Sequence, residues 1–137
     1  MKVDIYITTE FRGDFKCGEG AYGIVLSTML RGKEETKKHY AGWKDISRQK
    51  LSVKAAVEAI EYINMPCDVV IRTDSPYVKY VAESGNTNGN FPALWLTFFA
   101  ARNRMKSVTV EVETRHKYQS LLEKGLEKGN YTVIRDR

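Results

Sequence analysis

Apolar and polar positions alternate from the start of the chain. Val3 to Thr9 (VDIYITT) has a period of two and is rich in β-branched residues, which predicts a strand. Phe11 to Gly20 holds three glycines among polar residues and predicts a loop. Tyr22 to Leu30 and Glu34 to Trp43 predict two further strands, joined by a turn at Arg31-Gly32-Lys33. The period then changes. Val53, Ala56, Val57, Ile60 and Ile63 fall at helical spacing, so a helix capped by Asp45 or Ser47 runs to about Ile63, where Met65-Pro66 breaks it. Cys67 to Thr73 reads as a strand buried on both faces. Pro76 to Glu83 reads as a short helix, Ser84 to Asn90 (SGNTNGN) as a polar loop, and Phe91 to Met105 as an apolar helix. Val108 to Thr114 alternates as a strand, and Tyr118 to Lys128 forms a last helix ended by Gly129.

The order β-β-β-α-β-α-α-β-α describes one domain, residues 1–137: an antiparallel meander followed by β-α-β units, in a mixed sheet with packed helices. At 137 residues the chain is long enough for a sizeable core. Sites in such sheets form at the carboxyl ends of parallel strands. Asp74 stands at one such end and Glu10 at the end of the first strand, so the two carboxylates are expected to meet. The stretch Thr73-Asp74-Ser75-Pro76 also has a plainer reading, in which Asp74 or Ser75 caps a helix and Pro76 occupies its first turn.

The formal net charge of +5 favours a polyanionic partner. Much of the basic charge lies between Arg31 and Lys54, where Glu34 and Glu35 interleave, so a solvated hairpin is the alternative to a binding face. Two cysteines without metal-type spacing argue against a zinc site and a disulfide scaffold, and fit a reducing, cytoplasmic setting. No apolar run approaches the ~20 residues that span a bilayer, and Asp4 interrupts what would be a signal peptide's apolar region. No membrane partner is expected, and the chain is expected to be a monomer.

Five segments, taken in order, resemble type 1 ribonuclease H. They are the first strand with Gly20-Ala21-Tyr22-Gly23, Leu51 to Ile60 (LSVKAAVEAI), Thr73-Asp74-Ser75-Pro76-Tyr77-Val78, Leu94-Trp95, and Val108 to His116. The resemblance implies a ribonuclease H-like α/β fold. It has a mixed five-stranded sheet, three strands antiparallel and then parallel ones, with helices on both faces. It also implies cleavage of the RNA strand of an RNA–DNA hybrid by two magnesium ions held ~4 Å apart by four carboxylates. In that pattern Asp74 matches the third carboxylate and Glu10 takes the first position, one methylene longer than aspartate. Ser52 replaces the second. Glu123 is the candidate for the fourth, with Glu127 as its alternative. Asp74, Glu10 and Glu123 would then hold Mg2+ or Mn2+ if the site is active, and no metal if it is not. His116 matches a histidine that assists metal or product movement, a surface histidine being the other reading.

The substrate face departs from the pattern too. Pro76 stands where many members have a glutamine that can read the minor groove. Ser47, Arg48, Gln49 and Lys50 replace an Asn-rich helix start, exchanging directional hydrogen bonds for positive charge, and Lys16 adds to it. The expected partner is nucleic acid, RNA–DNA hybrid or double-stranded RNA. The first reading is a nucleic-acid-binding domain with lost or much reduced cleavage. An active divergent nuclease is the second, and a protein-interaction domain that kept only the fold is the third. His39, Tyr40 and Trp43 could stack on bases but, on a strand, suit packing within the sheet. Trp95, Phe98 and Phe99 share a helical face and suit the core.

Overall fold

Side-chain parity along the first strand sorts the whole molecule into layers. In the computed structural model, which describes residues 1–137, β1 spans Lys2–Asp14, β2 Cys17–Leu30 and β3 Lys33–Ile46. Val3, Ile5 and Ile7 of β1 face one way, with Tyr22 and Ile24 of β2, into the main core. Tyr6 and Val25 face the other way and meet a smaller cluster. Helices α1 (Arg48–Glu61), α2 (Pro76–Ser84) and α3 (Pro92–Asn103) cover the first face, and α4 (Gln119–Lys128) covers the second through Leu122. Strands β4 (Asp68–Thr73) and β5 (Ser107–Val112) complete the parallel half. Helices thus lie on both faces of a mixed sheet, as expected.

The sheet has six strands, in the order β5-β4-β1-β2-β3-β6, where five were expected. The addition is β6 (Val133–Arg135), which pairs parallel to the edge of β3. Gly42 makes room for it: a Cβ there would lie 2.7 Å from the Tyr131 ring and 2.8 Å from Val133. β4 is buried on one face only, because Val70 and Arg72 point to the α4 side, where cover is partial.

The largest departure is the expected loop over Phe11–Gly20. β1 runs on to Asp14 and pairs with β2 residue by residue, Glu10 with Ala21, Phe11 with Gly20 and Asp14 with Cys17. Glycine is unfavourable in strands on its own, but here it lets neighbours approach. A Cβ on Gly18 would strike the Phe11 ring at 2.7 Å, and one on Gly20 would strike Leu51 of α1 at 2.6 Å. The hairpin therefore lies flat on the start of α1.

The aromatic residues behave as packing groups. Trp95 and Phe98 are fully buried. His39 stacks on Tyr62 at 3.8 Å, and the Lys54 ammonium sits 3.8 Å above Trp43. Both cysteines are free, and no helix is long and apolar enough to cross a membrane.

Candidate nucleic-acid groove

Both readings of the stretch after β4 hold, on different residues. Ser75 is the cap of α2: its Oγ accepts from the Val78 N–H at 3.2 Å, and Pro76 occupies the first turn, where a missing N–H costs nothing. Thr73, fully buried, braces the corner by accepting from the Ser75 N–H at 3.2 Å. Asp74 is thereby left free to face outward. Its Oδ2 accepts a hydrogen bond from the Thr9 hydroxyl at 3.0 Å and lies 3.9 Å from the Arg48 guanidinium.

Around Asp74 the start of α1, the hairpin tip and the start of α2 enclose a cavity of 490 Å3. Lys16, Ser47, Arg48 and Gln49, all expected at a nucleic-acid face, line it together with Ser52, Ser75 and Tyr77. Ser47 also caps α1, accepting from the Lys50 N–H at 3.0 Å, so its hydroxyl is committed. Asp45, the other expected cap, instead takes a positive φ of 58° and pairs with Arg135 at 2.9 Å. Lys50 does not join the groove. Its ammonium is held by Asp136 at 2.7 Å and by the Arg137 carbonyl at 3.1 Å, and Lys54 reaches the same carboxylate at 3.2 Å.

Glu10 and Asp74 do not share this cavity. Tyr6 pairs with Arg72 across β1 and β4, so continuing that register by two residues sets Thr8 level with Asp74. Glu10 lies two residues further along the strand, roughly 7 Å beyond. It opens instead into a separate cavity of 520 Å3 with Glu19, Glu127 and Tyr131. The expectation that Glu10 ends the first strand fails because β1 does not end there.

Thr8 and Gln119 were not anticipated, and they organise the far side of β1. Thr8 is buried and its Oγ1 lies 2.9 Å from His116 Nε2. The His116 Nδ1 accepts from the Tyr118 N–H at 3.1 Å, which leaves the proton on Nε2 to be shared by Thr8 and the Ile7 carbonyl. Thr8 in turn donates to Gln119 Oε1 at 2.9 Å, and the Gln119 amide donates to Glu123 Oε2 at 3.3 Å. Glu123 is also 3.8 Å from Arg115. Burial lowers the pKa of His116 below its ordinary 6.5, keeping the ring neutral. The half-buried ring thus pins the segment before α4 to β1, rather than standing free at the surface.

The donor set can be tested against two divalent ions. Magnesium takes hard oxygen ligands in octahedral geometry, and two ions need several carboxylates. No three His, Cys, Asp or Glu side chains anywhere in the chain come together as such a cluster. The groove offers one carboxylate, Asp74. Ser52 is neutral, buried, and turned to the Arg48 carbonyl at 3.5 Å. Arg48 brings a positive charge where the first ion would need negative ones. These residues do not fit a two-metal centre, whereas a cationic and hydrogen-bonding groove suits phosphate oxygens.

No family model matches the chain. It is 35% identical over 78 residues to the Ribonuclease H of Janthinobacterium sp. (strain Marseille), across 57% of this chain and 50% of that protein. It is 29% identical over 119 residues to the Ribonuclease H of Lachnoclostridium phytofermentans, across 76% of this chain and 75% of that protein. The chain thus spans half the length of the first of these relatives. Among solved structures, LC11 ribonuclease H1 in complex with an RNA/DNA hybrid aligns with a TM-score of 0.69 at 16% identity, covering 93% of this chain and 98% of that one.

Proposed function

We propose that this chain, which has a ribonuclease H-like fold resembling type 1, binds nucleic-acid duplexes through the groove at the start of α1 and cleaves them weakly or not at all. One observation carries the reading. The strand-end carboxylate, Asp74, is answered by the Thr9 hydroxyl and the Arg48 guanidinium, with no second carboxylate in its cavity. The Arg48 guanidinium lies 3.9 Å from Asp74 and makes no hydrogen bond to it, so its planar fork of donors stays available to a phosphate. Lys16 and Gln49 extend the same surface. The solved neighbour that carries an RNA/DNA hybrid supports hybrid as the ligand class to try first, with double-stranded RNA beside it.

The relatives' name supports a second reading, a divergent metal-dependent ribonuclease H in which Asp74 and Glu123 take part. Binding titrations separate the two. Hybrid, double-stranded RNA and double-stranded DNA are titrated at low and moderate salt, with magnesium and with chelator. The proposed function requires duplex binding that weakens with salt and is indifferent to chelator. Absence of binding at low salt rejects it, and binding that requires a divalent ion favours the second reading.

A further inference from the structure

The tip of the β1–β2 hairpin carries a phenylalanine in the open. Phe15 is 72% exposed, more than almost any other large apolar side chain of the protein. Its backbone is nonetheless tied down. The Phe15 carbonyl accepts from the Arg48 N–H at 2.8 Å, and Asp14 Oδ1 accepts from the Lys16 N–H at 2.8 Å. The ring lies 6.5 Å from Phe11, their planes 30° apart, and Phe11 is itself seated over Gly18. The fold therefore presents this ring at the rim of the groove, beside Lys16, Arg48 and Gln49.

We infer that Phe15 is a stacking platform for an unpaired base, so that the groove prefers a junction between duplex and single strand over a continuous duplex. The inference rests on the proposed nucleic-acid role and adds the form of the ligand. Inside a duplex every base is covered on both faces by its neighbours, and an aromatic ring has nothing to stack on. Where one strand continues past the last pair, the first unpaired base exposes a face. Stacking on an aromatic side chain tolerates any base, and Arg48 and Lys16 supply the phosphate contacts on either side. The Arg48 N–H bond to the Phe15 carbonyl ties together the two stretches of backbone from which ring and guanidinium project, so both elements of recognition stand on one side of the groove.

The test compares three labelled ligands by anisotropy: a blunt RNA–DNA hybrid, the same hybrid with a short unpaired extension, and the single strand alone. Wild type is expected to bind the extended hybrid roughly tenfold more tightly than the blunt one, within the range that stacking of one base gives. Phe15→Ala removes that preference by weakening the extended hybrid more than the blunt one, and Phe15→Trp keeps it. Arg48→Ala weakens both hybrids alike. Phe15 is exposed, and its variants are expected to melt with wild type. Equal binding of blunt and extended hybrids by wild type overturns the inference while leaving duplex binding standing. So does an equal loss on both hybrids in Phe15→Ala. Absence of binding to all three ligands removes the groove itself.

Discussion

Asp136→Asn removes one negative charge from a site where two lysines depend on it. The Asp136 side chain is 7% exposed and meets Lys50 at 2.7 Å and Lys54 at 3.2 Å, whose side chains are 23% and 17% exposed. Breaking a fully buried pair costs ~3–5 kcal/mol and breaking a surface pair ~0–1 kcal/mol. The lysines keep some water, so the cost falls between these limits, at about 2 kcal/mol. For 137 residues the unfolding entropy is about 0.29 kcal/mol/K, so the melting temperature should fall by about 7 °C. Burial raises the Asp136 pKa, but the hydrogen bonds and charges of Lys50 and Lys54 outweigh it and hold the carboxyl below its ordinary 3.8. The pair's stabilisation is therefore present above the ordinary carboxyl range and lost as pH falls through the lower folded value. Wild type and variant should converge in acid. Thermal melts near neutral pH and near pH 3 measure both effects. Asp45→Asn, which breaks the open pair with Arg135, is the control and should shift the melt by no more than about 3 °C. A shift for Asp136→Asn no larger than that control, or one that persists undiminished in acid, refutes the reasoning.

Two other outcomes follow from the same contacts. Arg48→Ala should weaken hybrid binding and flatten the log–log salt dependence by about 0.9, one phosphate's worth, while Lys50→Ala leaves both unchanged because Asp136 already holds it. Equal losses from the two variants would contradict the placement of Lys50 outside the groove. Stability should decline as pH falls below about 6.5, because the unfolded chain then takes up a proton that buried, neutral His116 resists. A melting temperature flat from pH 7.5 to pH 5 would contradict the lowered pKa that burial gives His116.

The parts of the fold legible in the sequence are those whose signals are local. The helical spacing of Val53 to Ile60, the Ser47 cap and the Ser75-Pro76 corner each depend on residues within one or two turns, and each stands where expected. The hairpin was not legible, because Gly13, Gly18 and Gly20 read as loop residues until Phe11 and Leu51 are seen packed against the strand. Strand β6 has three residues, too few to show a period, and rests on a gap that Gly42 leaves in a distant strand. The candidate site divides the same way. Asp74, Arg48 and Gln49 follow from strand and helix ends. Glu10 was expected beside Asp74 because it stands where the alternating pattern of the first strand stops, whereas β1 runs on to Asp14 and the β1–β4 register sets Thr8 level with Asp74. The capture of Lys50 by a residue 86 positions later leaves no trace in the local pattern. Changing Glu10 to aspartate would accordingly add nothing beside Asp74.

Cleavage of a labelled RNA–DNA hybrid by the purified chain, in magnesium and in manganese, bears most directly on the proposed loss of catalysis. With one carboxylate in the groove and a guanidinium beside it, the two charges that activate water and stabilise the leaving oxygen lack a holder. Each ~1.4 kcal/mol lost from barrier lowering is a tenfold loss in rate, so the deficit should carry turnover to the level of the buffer blank. Wild type and Asp74→Asn should then be indistinguishable in either metal, while wild type still binds the hybrid. Rapid magnesium-dependent cleavage by wild type that disappears in Asp74→Asn would contradict this and establish a divergent nuclease.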